Sequence, residues 1–199
     1  MMTEAIKKYG KQTFATHKAT LLQDTDRYFA ADYRRADGSS NYYINFIVDK
    51  QRGSLIISGD LGDCIATWYN PLTPQKINGY IRNNVWYFIE KIQCSTDMWR
   101  YDSDDAYFEI YDMLTDGEDF EVPANYCYLS KSEFFAELRE EVDKSYDYGE
   151  FHPTEKLWDM VAAVYPDCES LHCCGRSVAM RVWLWLYAFD DVCRQIFDV

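Results

Sequence analysis

The chain is poor in the residues that break or loosen structure: 5 Pro and 9 Gly among 199. That scarcity excludes a collagen-like chain, a proline-rich linker and a low-complexity tail. Long hydrophobic runs are missing too. The most apolar stretch, Val182 to Phe189, falls far short of the roughly 20 apolar residues that a membrane-spanning helix requires. The opening MMTEAIKKYGKQTF has no apolar segment able to serve as a signal peptide, so a cytoplasmic protein with no membrane contact is expected. Histidine is rare, with only His17, His152 and His172, which leaves little room for acid–base work by imidazole. No P-loop, dinucleotide-binding glycine fingerprint, H-E-x-x-H or G-x-S-x-G occurs. These absences point away from an enzyme, and no cofactor is expected.

What the chain does have is core material: 48% of residues are apolar and 17% aromatic, including 17 Tyr, 11 Phe and 6 Trp. That is enough to fold as one domain over 1–199. Its seven cysteines (Cys64, Cys94, Cys127, Cys168, Cys173, Cys174, Cys193) are odd in number and lack framework spacing, which fits thiols in a reducing compartment.

Charge is unevenly spread. The formal net charge is −13. Between Thr96 and Met160 there are 19 acidic and 5 basic residues, while the remainder holds 14 acidic and 15 basic. The whole excess therefore sits in a middle segment, where it can present a directional field. Residues through Cys94 carry 12 basic and 9 acidic side chains, too mild a surplus for the phosphate-tracking surface that direct DNA binding needs.

The pattern of residues predicts an α+β fold: an N-terminal antiparallel sheet of four or five strands, then a helical C-terminal portion. Residues 1–70 read mainly as strands. Thr13–Leu22, Arg27–Tyr33, Asn41–Val48, Ser54–Ser58 and Cys64–Trp68 are rich in β-branched and aromatic residues and are separated by Gly, Asp and Ser turns. The near-continuous apolar run Tyr42 to Val48 predicts a central strand covered on both faces. Residues 71–199 read mainly as helices. Ile77, Tyr80, Ile81, Val85, Trp86, Phe88, Ile89 and Ile92 follow helical spacing with a break at Asn83-Asn84. Further helices are expected over Tyr107 to Leu114, after a Ser130/Glu133 capping box, between Pro153 and Pro166, and from Arg176 to Phe197. The last of these has little polar face and is expected to be buried.

Two groups of residues carry candidate chemistry. Cys168, His172, Cys173 and Cys174 place three thiols and an imidazole within seven positions. Those are the ligand types zinc prefers, and a thiol paired with an imidazole is also the kernel of a cysteine nucleophile. No C-x-x-C partner knuckle exists elsewhere, so a turn with partly buried cysteines is the plainer reading. The second group is acidic. Asp102, Asp104 and Asp105, followed by Glu118, Asp119 and Glu121, lie in runs expected outside the helices, where carboxylates are easily presented to a partner. The row Glu137, Glu140 and Glu141 adds to them, and Trp99, Tyr101, Tyr107, Phe108, Tyr111, Phe120 and Tyr126 are interleaved, residue types that anchor interfaces or fill cores.

The block Ile56-Ile57-Ser58-Gly59-Asp60-Leu61-Gly62-Asp63-Cys64-Ile65-Ala66-Thr67-Trp68 resembles one in small phage and prophage accessory proteins, where a strand, a G-D-x-G turn and a strand ending in Trp precede helices. Glu90-Lys91-Ile92, Trp99-Arg100-Tyr101-Asp102 and Arg181-Val182-Trp183-Leu184-Trp185-Leu186 resemble further blocks of the same proteins in the same order. The resemblance implies a mobile-element gene product acting in a bacterial host cytoplasm, a setting that includes anti-CRISPR inhibitors. Joined to the charge pattern, it leads to an expected DNA-mimicking inhibitor. Its partner would be a host protein or ribonucleoprotein with a basic nucleic-acid channel, such as an RNA-guided nuclease. The rival readings are a metal- or thiol-dependent enzyme centred on Cys168, His172, Cys173 and Cys174, and a structural or regulatory phage protein with an oligomeric interface.

Overall fold

The computed structural model describes residues 3–82, 84–115, 120–147, 149–166 and 168–198. The chain forms two compact units where one domain was expected: unit 1 is Met1–Met98 with Ala179–Val199, and unit 2, inserted between them, is Trp99–Val178. No Pro/Gly/Ser linker marks either junction. In unit 1 the two junction residues are instead tied together, the Ala179 N–H donating to the Met98 carbonyl at 2.9 Å.

Unit 1 opens with α1 (Glu4–Thr13), capped by Thr3, whose hydroxyl accepts from the Ile6 N–H at 3.3 Å. The strand expected over Thr13–Leu22 therefore starts later. β1 (His17–Asp24), β2 (Tyr28–Arg35), β3 (Ile44–Asp49), β4 (Ser54–Gly59) and β5 (Cys64–Thr67) form an antiparallel meander in chain order, because their connections are too short for helical crossovers. The G-D-x-G segment is the turn between β4 and β5, with Gly59 and Gly62 at φ 140° and 87°, a region glycine adopts readily. Two short helices follow, α2 (Pro74–Ile81) and α3 (Val85–Ile89), the latter capped by Asn84. The chain then returns to the sheet as a sixth strand, β6 (Ile92–Ser95), paired with β5. Ile92, expected in a helix, therefore lies in a strand: the preceding helix ends after a single turn and a half, leaving Ile92 to pair with Ala66.

Unit 2 begins with β7 (Trp99–Tyr101), α4 (Ser103–Thr115) and α5 (Lys131–Lys144). The capping box is present, with Ser130 and Glu133 satisfying each other's backbone N–H groups. A short hairpin of β8 (Tyr146–Asp147) and β9 (Glu150–Phe151) leads to α6 (Glu155–Ala162) and then β10 (Arg176–Val178), which pairs antiparallel with β7. Ile110, Phe134, Leu138, Val142, Leu157, Met160 and Val161 form its core. Gly175, at φ 69°, allows a close approach, since a Cβ there would lie 2.3 Å from the Asp102 carbonyl. The final helix, α7 (Met180–Phe197), belongs to unit 1. It starts four residues later than the sequence pattern predicts because Arg176–Val178 is extended against β7.

The core of unit 1 is the face of the sheet that α7 covers. Register aligns Phe29 with Val48, Phe46 with Ile57 and Leu55 with Ala66 on that face, all six fully buried. Phe189 of α7 meets Phe46 at 5.3 Å between ring centroids, and the Tyr33 hydroxyl donates to Asp191 at 2.6 Å. The central strand β3 is not buried on both faces as expected. Ile44, Phe46 and Val48 are buried, but Asn45 and Ile47 are only partly so. Ile47 is screened sideways by its direct cross-strand neighbours Ala30 and Ile56, which is how an apolar side chain persists on an outer sheet face.

Candidate protein-binding surface

All of the acidic segment except Thr96–Met98 falls within unit 2. Unit 2 holds 20 acidic and 6 basic residues, a net of −14, and unit 1 holds 13 acidic and 14 basic, a net of +1. The asymmetry seen along the sequence is thus a property of one compact body.

Helix α4 sorts its residues by phase. Ala106, Ile110 and Leu114 are buried. Asp105, Phe108, Glu109 and Asp112 recur at helical spacing on the other side, and all four are exposed. Phe108 is 62% exposed. Of the seven aromatic residues between Trp99 and Tyr126 singled out as anchors, it is the one left largely in solvent; Phe120 and Tyr126 are buried in the core, and the others are half-buried. The result is an apolar ring set among three carboxylates.

Of these three carboxylates, Glu109 already accepts from the Gly175 N–H at 2.9 Å through Oε2, and other carboxylates of the unit are occupied as well. Asp102 caps α4, its Oδ1 accepting from the N–H groups of Asp104 and Asp105 at 3.0 and 3.2 Å. Asp104 pairs with Arg139 at 2.7 Å. Along α5, every carboxylate has a partner: Glu133 in the capping box, Glu137 with Lys156, Glu140 with Lys144 at 2.8 Å and Asp143 with Arg139 at 3.0 Å. Glu141 is buried, receives Lys144 at 2.9 Å and the Thr154 hydroxyl at 2.8 Å, and the Lys144 ammonium holds its carboxyl below the usual carboxylate range. The six basic residues of unit 2 are all engaged, since Lys131 lies over Phe120 and Arg176 over Trp99, 5.9 and 4.2 Å from the ring centroids, and Arg100 reaches Asp102 at 3.9 Å. Asp105, Asp112 and Glu121 form no ion pair among the described residues.

The six acidic residues singled out from sequence therefore separate. Asp102 and Asp104 serve the start of α4, while Asp105 and Glu121 are exposed and uncompensated; Glu118 and Asp119 lie outside the described residues. Asp104 and Asp105 are helical, contrary to the expectation that these runs sit outside the helices. The expected helix started at Tyr107, and the earlier start hid that Asp105 shares a face with Glu109 and Asp112. The signal was present: Asp102 followed by two acidic residues is an N-cap with an acidic first turn.

The cysteine cluster does not assemble. Cys168 and Cys174 are buried, and Cys173 is half-buried. His172 is exposed on the same short 3₁₀ turn, Glu169–Cys173. Burial pushes the Cys174 thiol up to about 12, which disfavours the free thiolate that a nucleophile needs. Among the described residues, no group of three His, Cys, Asp or Glu side chains is placed to hold a metal ion. A turn of a few residues points its side chains in successive directions, so sequence proximity did not become convergence.

Among the described residues, no helix is long and apolar enough to cross a membrane. No family model, curated protein or solved structure matches the chain.

Proposed function

We propose that this protein is a binding protein of the inhibitor type, in which unit 2 occupies a basic nucleic-acid channel of a host enzyme, such as that of an RNA-guided nuclease. The observation that carries this reading is the confinement of the entire acidic excess to one compact unit, together with the exposed α4 face of Asp105, Phe108, Glu109 and Asp112. Carboxylates supply the field that steers a basic partner. A largely exposed aromatic ring among them supplies the apolar anchor that charge alone lacks. The packed thiols at Cys168 and Cys174 remove support from the metal- or thiol-enzyme alternative.

The test is affinity capture from bacterial lysate, using the wild type and a D105K/D112K/E121K variant verified as folded, with bound proteins identified by mass spectrometry. A nucleic-acid-binding enzyme retained by the wild type, lost with the variant, released by salt and displaced by added duplex DNA is the expected result. Exposed charges act over roughly 10 Å at 0.1 M salt, so the capture should weaken steeply above that. A captured set that ignores both charge reversal and salt overturns the reading.

A further inference from the structure

Unit 1 contains a cleft of about 300 Å³ lined by Thr13, His17, Arg35, Asn41, Tyr42 and Asp60. This lies at the lower end of the range for small-molecule sites. Its floor is His17, only 6% exposed. His17 and Arg35 are direct cross-strand partners on β1 and β2, so their side chains leave the sheet side by side.

The hydrogen-bonding account of this cleft is incomplete in a specific way. His17 Nε2 lies 3.2 Å from the Asn41 carbonyl, which only accepts, so the ring proton sits on Nε2 and Nδ1 presents a lone pair. Nδ1 is buried with no hydrogen-bond partner, and so is Arg35 Nε. The nearest carboxylate to Arg35 Nε is Asp37, in ion contact at 3.5 Å. Buried polar groups left unpaired are costly and rare in native proteins. Here one acceptor without a partner and one donor held only by a long ion contact belong to neighbouring strands that line the same cleft. The wall above them is held in an uncommon backbone state: Tyr42 is at φ 57°, a strained conformation for a residue with a side chain, of the kind found at ligand clamps. The Tyr42 ring is kept there edge-on to Phe14, 6.2 Å between centroids.

The charges select the occupant. Arg35 and Asp60 line the cleft with one charge of each sign, and Asp37, outside the lining, is in ion contact with Arg35 and offsets its charge. Burial, opposed by the Asn41 and Tyr42 carbonyls, lowers the His17 pKa, so the imidazole is neutral at physiological pH. An anion therefore meets a wall with no net positive charge and an imidazole that has no proton to give it from Nδ1. A neutral group with a donor and an acceptor on adjacent positions meets both orphaned atoms. We propose that the cleft binds a small neutral molecule through a primary carboxamide, its N–H donating to His17 Nδ1 and its carbonyl accepting from Arg35 Nε–H.

Benzamide and benzoate have the same size and shape but differ in this chemistry, which makes them the probes. With ¹⁵N-labelled histidine, the exposed His152 and His172 serve as internal controls. Benzamide should shift the His17 Nδ1 resonance saturably, with an affinity on the order of millimolar for so small a fragment. Benzoate should leave that resonance in place, and Arg35→Met should weaken benzamide binding by about tenfold, the loss of one hydrogen bond to a charged group. Equal binding of benzoate, an unmoved His17 resonance in benzamide, or undiminished binding by R35M would each overturn the proposal. The first two are read on the wild type and stand even if R35M does not fold.

Discussion

Unit 1 and unit 2 solve the problem of folding differently. Unit 1 is a six-stranded meander closed by α7, nearly neutral overall, and held by a continuous apolar face in which aromatic rings of helix and sheet meet. Unit 2 is mostly helical and carries a net of −14. It combines an aromatic core with a polar lattice in which Arg139, Lys144 and Lys156 each hold carboxylates on α4 or α5. A charge excess spread evenly would serve solubility. Confined to one unit, it opposes that unit's own compaction by self-repulsion. A chain that tolerates this cost in one place and avoids it in the other is using the charge locally.

The largest effect that tests this division is a core truncation in each unit. Phe189→Ala removes a fully buried ring from α7, and Phe134→Ala removes one from α5. Each should cost about 3–5 kcal/mol, the range for buried phenylalanine replaced by alanine. Amide hydrogen exchange resolved by segment is the measurement. F189A should lose protection across β1–β6, and F134A across α4, α5 and α6. If F134A lowers protection in the six-stranded sheet as much as in its own helices, the two units are one energetic body and the comparison fails.

Sequence patterning showed the sheet and missed the division. The β-branched and aromatic residues within Tyr28–Arg35 and Ser54–Gly59, bounded by turn residues, made these strands legible, and the Ser130/Glu133 box is a local signal with a local result. The sixth strand was hidden because Ile92 continues the apolar spacing of the preceding helix, and only the partner β5 decides its conformation. The unit boundary was hidden because Met98 and Ala179 meet through space, with no linker composition to announce the join. For the candidate surface, residue types were legible but helix phase was not. Choosing among Asp102, Asp104 and Asp105 required knowing that the first caps α4, the second meets Arg139 and the third faces outward.

Glu141 probes the polar lattice of unit 2 more gently. It is buried between α5 and the start of α6, bonded to Lys144 and to Thr154, which also caps α6. Glu141→Ala should destabilise unit 2 by about 1–3 kcal/mol, the cost of leaving its partners unsatisfied, while leaving unit 1 unaltered. Because the folded carboxyl titrates below its ordinary value of 4.5, the unfolded chain takes up the proton first as pH falls. The contribution of Glu141 is therefore complete above about pH 4.5 and disappears below it. Thermal unfolding of unit 2 should lose its difference between wild type and E141A in that acid range. A difference that persists unchanged at low pH would show that the side chain acts by packing and not by charge.

The smallest expected effect separates stability from use. Asp112 stands in the last turn-and-a-half of α4, a helix with no basic residue in its final turn. A negative charge there opposes the helix dipole, which favours cations at that end. It also adds to the repulsion from Glu109 and Asp105 on the same face. Asp112→Asn keeps the shape and removes the charge, so α4 should become more stable, by about 0.3–1 kcal/mol, with slower amide exchange confined to that helix. If the α4 face meets a basic partner, the same substitution should weaken capture of that partner, and raising the salt concentration should shrink both differences together. A residue retained against its helix's own stability, whose removal costs binding, is the signature of a surface shaped for something outside the protein. Should D112N prove neither more stable than the wild type nor weaker in binding, the exposed carboxylates of α4 are ordinary solvated charge, and the case for unit 2 as the docking unit loses its structural basis.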